Sequence, residues 1–329
     1  MHILVVKLSS LGDVVHAMPV VHDIRTAFPG ALIDWVVEPA FAPLVRRVEG
    51  VDQVIECALR RWRTAWWTTA VRSEWRAFKA RLQATRYDAV LDLQGLTKSA
   101  LIARLAKGTS HGLANRTEGS SYERPAAWLI DDAIHVAPRT HALDRSRLLA
   151  SVALGYRPVG PPRFGIRARV AAAGAVPEVV LVHGTSRADK LWPEAAWIEF
   201  GRRVVNCGWH IALPHSGALE FARAQRIAER FGAAAQVWPE TGLDALVDLL
   251  AQAHGVVGVD SGLSHMAVAL DLPHVQIYNW PTAWRTGPQA SHGHLHQVSV
   301  EAGSDRAPPT PPHVDAVWNA WCQVREDVA

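Results

Sequence analysis

The chain opens on a β-branched and aliphatic run, Ile3 to Val6, followed directly by Lys7-Leu8-Ser9-Ser10-Leu11-Gly12-Asp13-Val14-Val15-His16. A run this short and this apolar suits a strand buried on both faces, as the first strand of a parallel sheet usually is. A helix must follow it. Ser9, Ser10 and Gly12 make a tight small-residue turn, whose free amides and positive helix dipole face whatever lies beyond the strand's carboxyl end. Open α/β sheets bind their ligands at that edge. Asp13 stands there, and two roles fit it. It completes a capping box with Ser10 three residues earlier, or it offers a carboxylate to a ligand.

The same alternation continues along the chain. Ala31 to Val37, Val51 to Cys57 and Tyr87 to Leu93 read as further strands, with helices near Val15 to Phe28, Ala70 to Arg86, Thr97 to Lys107 and Arg139 to Leu154. The Pro- and Gly-rich stretch Gly155 to Pro162 reads as a linker. Beyond it, Val179 to His183, Trp209 to Leu213, Ala235 to Trp238, Gly255 to Val259 and His274 to Tyr278 read as strands, with helices from Pro193, Gly217, Gly242 and Gly262. A βαβ rhythm on both sides of a linker implies an α/β protein of two Rossmann-like domains, residues 1–160 and 161–329, facing each other across a ligand-binding cleft. A last helix, His313 to about Glu326, follows the Pro-rich run Ala307 to Pro312 and is expected to pack back on the first domain.

With 329 residues, 49% of them hydrophobic and 20% charged, the chain has the length for two ordinary domains and is not a disordered polymer. No apolar run is long enough to cross a bilayer and no signal core follows Met1, so the expected location is the cytoplasm. Cys57, Cys207 and Cys322 contain no CxxC pair; this argues against a disulfide framework or a cysteine zinc site, and they are expected to be reduced and buried. Charge is uneven. Residues 1–165 carry a balance of +7 and the remainder −4. From Arg60 to Arg86 there are eight basic residues and one acid, Glu74, so the first half should attract an anion. In the helix after Ala70, Val71, Trp75, Phe78 and Leu82 share one side while Arg72, Arg76, Lys79 and Arg86 occupy others. That pattern fits packing on the sheet, and it also fits a basic helix resting on an anionic membrane surface.

His183 to Pro193 contains Gly184, Thr185, Ser186, Arg187 and Lys190 in one strand-to-helix loop, a plausible phosphate cradle that also reads as a polar cap of the next helix. It lacks the GxxxxGK[ST] spacing, and no GxGxxG follows a strand, which disfavours a P-loop ATPase or an ordinary dehydrogenase. Asp260-Ser261-Gly262-Leu263-Ser264-His265 opens another helix and could hold further phosphate oxygens, with Asp260 serving equally well as an N-cap. His292, His294 and His296 alternate at strand spacing and could share a face, but no carboxylate or cysteine accompanies them and no metal site is assigned. Neither a GxSxG elbow nor an HExxH is present.

In order and spacing, several pieces together resemble the family 9 glycosyltransferases of bacterial lipopolysaccharide assembly. They are Lys7 with Ser9 to His16, Asp34-Trp35-Val36-Val37-Glu38, Arg60-Arg61-Trp62-Arg63, Tyr87 to Val90 with Asp92 to Leu96, Thr185-Ser186-Arg187 to Lys190 with Trp192-Pro193, and Asp260 to His265. The Arg-Arg-Trp-Arg element favours the branch that adds the first heptose. The resemblance implies a GT-B fold and inverting transfer of L-glycero-D-manno-heptose from ADP-heptose to the inner Kdo of Kdo-lipid A, without metal or other cofactor. It implies work at the cytoplasmic face of the inner membrane, in peripheral contact with that anionic surface, with no nucleic-acid partner. By the same match Asp13 is the general base. Thr185, Ser186, Lys190, Glu220, Asp260, Ser261, Gly262 and His265 line the donor site, and Lys7, Ser10, Gly12, Arg60, Arg61 and Arg63 meet the acceptor. The first domain would then bind acceptor and the second the nucleotide sugar. Ser186 and Ser261 stand where the family often has threonine, and Tyr278-Asn279-Trp280-Pro281-Thr282 replaces a Gly-Pro-Thr type loop. Two alternatives keep the fold: a family 9 transferase for another sugar or a protein acceptor, and a non-catalytic binder of nucleotide sugar or lipopolysaccharide.

Overall fold

The computed structural model describes residues 1–169, 177–303, 307 and 310–326. The chain divides into two compact units, Met1–Arg167 and Ala168 onward. The division falls later than the 160/161 boundary expected from the Pro- and Gly-rich stretch. Glu49 N donates to Gly165 O at 2.8 Å and Arg167 N to Arg47 O at 2.9 Å, which ties the segment after that stretch to the first unit.

The first unit holds β1 (His2–Val6), β2 (Leu32–Val37), β3 (Gln53–Glu56), β4 (Arg86–Asp92), β5 (Lys107–Leu113) and β6 (Asp132–Ile134) in the order β3-β2-β1-β4-β5-β6. The second holds β7 (Glu178–Val182), β8 (His210–Leu213), β9 (Ala235–Val237), β10 (Gly255–Val259), β11 (His274–Tyr278) and β12 (Gln297–Glu301) in the order β12-β11-β10-β7-β8-β9. All neighbours are parallel. Both sheets therefore wind the same way. The strand order reverses between β1 and β4 and again between β7 and β10, the crevices where doubly wound sheets receive ligands.

Burial follows from the strand pattern. Ile3, Leu4, Val5 and Val6 are fully buried, as are all five residues of β10. The helix Thr69–Ala84 buries Val71, Phe78 and Leu82 with Trp75 partly covered, and leaves Arg72, Arg76 and Lys79 exposed, so its apolar side packs on the sheet. The expected helix from Val15 to Phe28 is instead two, Leu11–Ala17 and Pro19–Ala27, because Pro19 has no N–H to continue the first. Strands β5, β6 and β12 were not expected. β5 reads Lys-Gly-Thr-Ser-His-Gly-Leu, too polar and too rich in glycine to signal a strand, yet Gly108 is needed because a Cβ there would lie 2.4 Å from Tyr87 O.

The last helix, Val314–Glu326, packs on β11, β12 and the helix Glu194–Asn206 of its own unit. Val317, Trp321 and Val324 are buried there, and the Trp318 ring meets Phe200 at 5.7 Å. His292 ends a 3₁₀ turn, Gly293 adopts φ 81° and β12 begins only at Gln297, so the three histidines do not share a strand. Of the cysteines only Cys57 is buried; Cys207 is exposed and Cys322 intermediate, and none of them forms a disulfide. Positions 308 and 309 of the Pro-rich run lie outside the described residues. No helix among the described residues is long and apolar enough to cross a membrane.

Gly255 lies under the last helix: an added Cβ would come 2.3 Å from Trp321 Cη2 and 3.1 Å from Pro273 O. Gly255→Ala should destabilise the second unit by about 1–3 kcal/mol through overpacking, read as a lower denaturant midpoint. An unchanged midpoint would show that Trp321 can shift freely.

Candidate active site

Beyond Val6 the chain delivers Lys7 and then the Ser9–Ser10 turn, whose peptide bond is cis, to the carboxyl edge of the first sheet. The helix Leu11–Ala17 starts there with Ser10 as its N-cap. Asp13 Oδ2 accepts from Ser10 N at 3.1 Å and from Ser10 Oγ at 2.8 Å, while Oδ1 lies 3.6 Å from Lys7 Nζ. The two roles open to Asp13 are thus compatible: the carboxylate braces the turn, and its side chain remains 44% exposed. Partial desolvation pushes its pKa up, but the Lys7 ammonium, the two Ser10 bonds and, least of these, Arg145 outweigh this and hold it below its ordinary 3.8. Gly12 is buried in the same helix.

Lys7 is 3% exposed and donates from Nζ to Leu93 O at 2.9 Å. Burial draws its pKa down, and Arg145 adds to this against the pull of Asp13 and Asp92. Asp92, at the end of β4, accepts from Gln94 N at 3.0 Å, Gly95 N at 3.3 Å and Ser99 Oγ at 3.0 Å, yet burial raises its carboxyl to about 6. Gln94 Oε1 accepts from Leu8 N at 2.8 Å and so fixes the start of the turn. Asp92 and Gln94 belonged to a recognisable motif without an assigned task. Arg145 carried one signal that sequence reading passed over: a charged residue on the inward side of the helix Ala142–Leu154, where Ala142, Leu149 and Ala150 are buried.

The helix Leu59–Thr64 presents the three expected arginines differently. Arg61 is spent on Glu74, bonding Oε1 from Nη1 at 3.0 Å and Oε2 from Nη2. The side chains of Arg60 and Arg63 are exposed and bond no other described residue; the Arg60 main-chain N donates to Glu38 Oε1 at 3.2 Å.

In the second unit the donor candidates collect at the carboxyl ends of β7, β8 and β10. After β7, Thr185 Oγ1 donates to Asp260 O at 3.0 Å, Ser186 is exposed, and Lys190 Nζ donates to Asp260 Oδ2 at 2.6 Å. After β10, Asp260 Oδ1 lies 3.2 Å from His265 Nε2, and His265 Nδ1 is 3.3 Å from Gln276 Nε2. A proton on Nε2 satisfies both contacts. The N-cap of the helix Gly262–Ala269 is Ser261, whose Oγ accepts from Ser264 N at 3.5 Å, so Asp260 is not the cap and is free to bind the lysine and the histidine. Burial pushes Asp260 up, but His265 and Lys190 prevail and hold it at about 2. After β8, Glu220 Oε2 accepts from Ser216 N at 2.7 Å, and Gly184 admits this carboxyl, since a Cβ there would lie 2.5 Å from Glu220 Cδ. Asn279, from the unusual loop after β11, donates from Nδ2 to Asp189 O at 3.1 Å and Leu191 O at 2.9 Å and clamps the turn that carries Lys190.

A model of glycosyltransferase family 9 (heptosyltransferase) matches residues 75–306. Lipopolysaccharide heptosyltransferase 1 of Salmonella typhimurium is 41% identical over 84% of this chain and 88% of its own. The chain belongs to glycosyltransferase family 9, the heptosyltransferases. The family's heptosyltransferase 1 from Pseudomonas aeruginosa is 41% identical over 93% of this chain and 84% of its own, whereas heptosyltransferase 2 of Salmonella typhimurium is 26% identical. Among solved heptosyltransferases, Escherichia coli WaaC with ADP superposes with a TM-score of 0.86 at 35% identity, covering 98% of this chain and 100% of that one. The same enzyme with ADP-2-deoxy-2-fluoro heptose gives 0.82 at 36% identity, covering both chains fully. The α/β, GT-B architecture expected from the resemblance is the one found.

The low pKa of Asp260 stabilises the fold above the ordinary 3.8, and this contribution is lost as pH falls from there to about 2. Asp260→Asn should therefore cost ~2 kcal/mol at neutral pH, with the gap from wild type closing through that acid window. Melting curves taken against pH would show it; a gap independent of pH would assign the cost to packing.

Proposed function

We propose that this heptosyltransferase moves L-glycero-D-manno-heptose from ADP-heptose to the inner Kdo of Kdo-lipid A, inverting the anomeric centre and using no metal. The observation that carries the reading is an ionised, solvent-reachable Asp13 at the β1/β4 crevice of a chain 41% identical to lipopolysaccharide heptosyltransferase 1. Solved relatives bound to ADP and to ADP-2-deoxy-2-fluoro heptose support the donor.

In this reading the first unit takes the acceptor and the second the nucleotide sugar. Lys190, Thr185, Ser186 and the amides at Ser261 and Gly262 meet the diphosphate, with His265 and Asp260 fixing Lys190, and Glu220 meets the ribose. The acceptor hydroxyl attacks the anomeric carbon as its bond to the diphosphate breaks; its proton passes to Asp13, and the cationic and amide groups receive the charge developing on ADP. A carboxylate held below 3.8 is a weak base, so the proton moves late, when the attacking oxygen has become acidic.

Action at the cytoplasmic face of the inner membrane belongs to the same proposal. Trp66 and Trp67 are 47% and 73% exposed in the turn after Arg60 and Arg63, and Arg72 and Arg76 follow on the next helix. Exposed indoles beside exposed cations suit an anionic lipid surface.

Asp13→Ala should lower kcat by roughly 100-fold or more while ADP-heptose affinity stays within a few-fold; near-normal turnover on Kdo-lipid A would reduce Asp13 to a cap. Lys7→Met removes the charge that depresses Asp13, so the acid limb of kcat/KM should move to higher pH, and an unmoved limb would separate that limb from Asp13. Prior chelation should leave the rate unchanged; a loss restored by a divalent ion would overturn the metal-free step.

A further inference from the structure

Asn279 is 4% exposed although it stands in a loop, the Tyr278–Thr282 stretch that departs from the family's usual sequence. Its amide is used unevenly. Nδ2 donates to Asp189 O at 3.1 Å and to Leu191 O at 2.9 Å, whereas the buried Oδ1 has no hydrogen-bond partner among the described residues. Turning the amide over would set Oδ1 against two carbonyl oxygens, so the orientation is forced. A buried acceptor left unmet is destabilising, and the two bonds made by Nδ2 are the reason for an amide at this position.

Those two carbonyls flank Lys190. They belong to the single 3₁₀ turn Ala188–Lys190 and the residue after it, a stretch held from within only by Lys190 N to Arg187 O at 3.1 Å and Leu191 N to Ala188 O at 3.2 Å. A grip on both sides of residue 190 stops the chain from rolling about its own axis and so fixes the direction in which the lysine side chain leaves. Its far end is held by Asp260 Oδ2 at 2.6 Å. Asp260 is tied to the same strand end, since its N donates to Ile277 O at 3.1 Å, and Gln276 Nε2 lies 3.3 Å from His265 Nδ1. The end of β11 thus sets each charged group of the cluster: Gln276 the histidine, Ile277 the aspartate and Asn279 the lysine. Tyr278, which roots the loop, is 2% exposed with its hydroxyl 3.0 Å from Thr286 Oγ1.

We propose that Asn279 is a positioning residue for Lys190: by bridging Asp189 O and Leu191 O it sets the ammonium where a diphosphate oxygen arrives, so that nucleotide affinity depends on a side chain the nucleotide does not touch. This rests on the reading that Lys190 meets the diphosphate of the donor.

Dissociation constants for ADP, and for adenosine, which has no phosphate, would be measured on wild type, Asn279→Ala, Lys190→Ala and the double variant. Asn279→Ala should weaken ADP roughly five- to tenfold, from two lost hydrogen bonds felt through one cation, and leave adenosine within about twofold. Added to Lys190→Ala it should weaken ADP no further, because the group it positions is gone. Equal losses for ADP and adenosine overturn the proposal, since general damage to the unit would produce them. So does an ADP affinity that Asn279→Ala leaves unchanged, or a penalty that persists in full without Lys190. Asn279→Ser keeps a donor too short to reach both carbonyls; it replaces the alanine variant if that one does not fold, with the same outcomes. If wild type does not bind ADP, or Lys190→Ala binds it as tightly as wild type, the reading of Lys190 has failed by itself. The clamp is then judged by hydrogen exchange, where the amides of Lys190 and Leu191 should exchange faster in Asn279→Ala than in wild type, and equal rates overturn it.

Discussion

A lysine ammonium that is 3% exposed can stay charged only if the fold supplies oxygen around it. Lys7 obtains this from three directions: the Leu93 carbonyl beyond β4, the Asp13 carboxylate on the following helix, and the field of buried Asp92. Its own carbonyl accepts from Trp35 Nε1 on β2 at 3.2 Å. One residue thereby fastens three adjacent strands and the first helix at the crevice between β1 and β4. The parallel sheet dictates that crevice; the lysine gives it a sign.

The second unit solves the same problem with the charges arranged otherwise. Asp260 is the central ion, held between the Lys190 ammonium and the His265 ring, and the loops after β7 and β10 are joined through it. Lys190 keeps donors to spare, because an ammonium has three and Asp260 uses one. In the proposed reading, a diphosphate would meet a cation whose position is already fixed, with little reorganisation as the leaving group gains charge.

The long-range plan was legible because parallel strands announce themselves as apolar runs: β1, β10 and β11 lie where Ile3 to Val6, Gly255 to Val259 and His274 to Tyr278 said they would. Polar or very short strands gave no such announcement. β5 depends on Gly108 passing Tyr87, and β6 is three residues long. Asp13, Lys190 and Asp260 could be singled out as candidates because each lies next to a strand end, the edge where open α/β sheets bind ligands. Arg145 and Asn279 were not assigned, since each reaches the site from an element remote in sequence, and only packing reveals what a side chain in mid-helix or in a distant loop will touch. Trp318 and Trp321 illustrate the same limit. An apolar stripe states that a helix must dock but not on which sheet.

Asn279 gives two main-chain carbonyls a single nitrogen to share. A side chain in that spot must be a donor, and an acid of the same shape is the worst tenant available. Hydrolysis of that one amide would set a carboxylate oxygen against the oxygens of Asp189 and Leu191, turning a tether into a wedge. Chemical ageing of the protein would then register in the loop that carries Lys190 while both sheets remained intact.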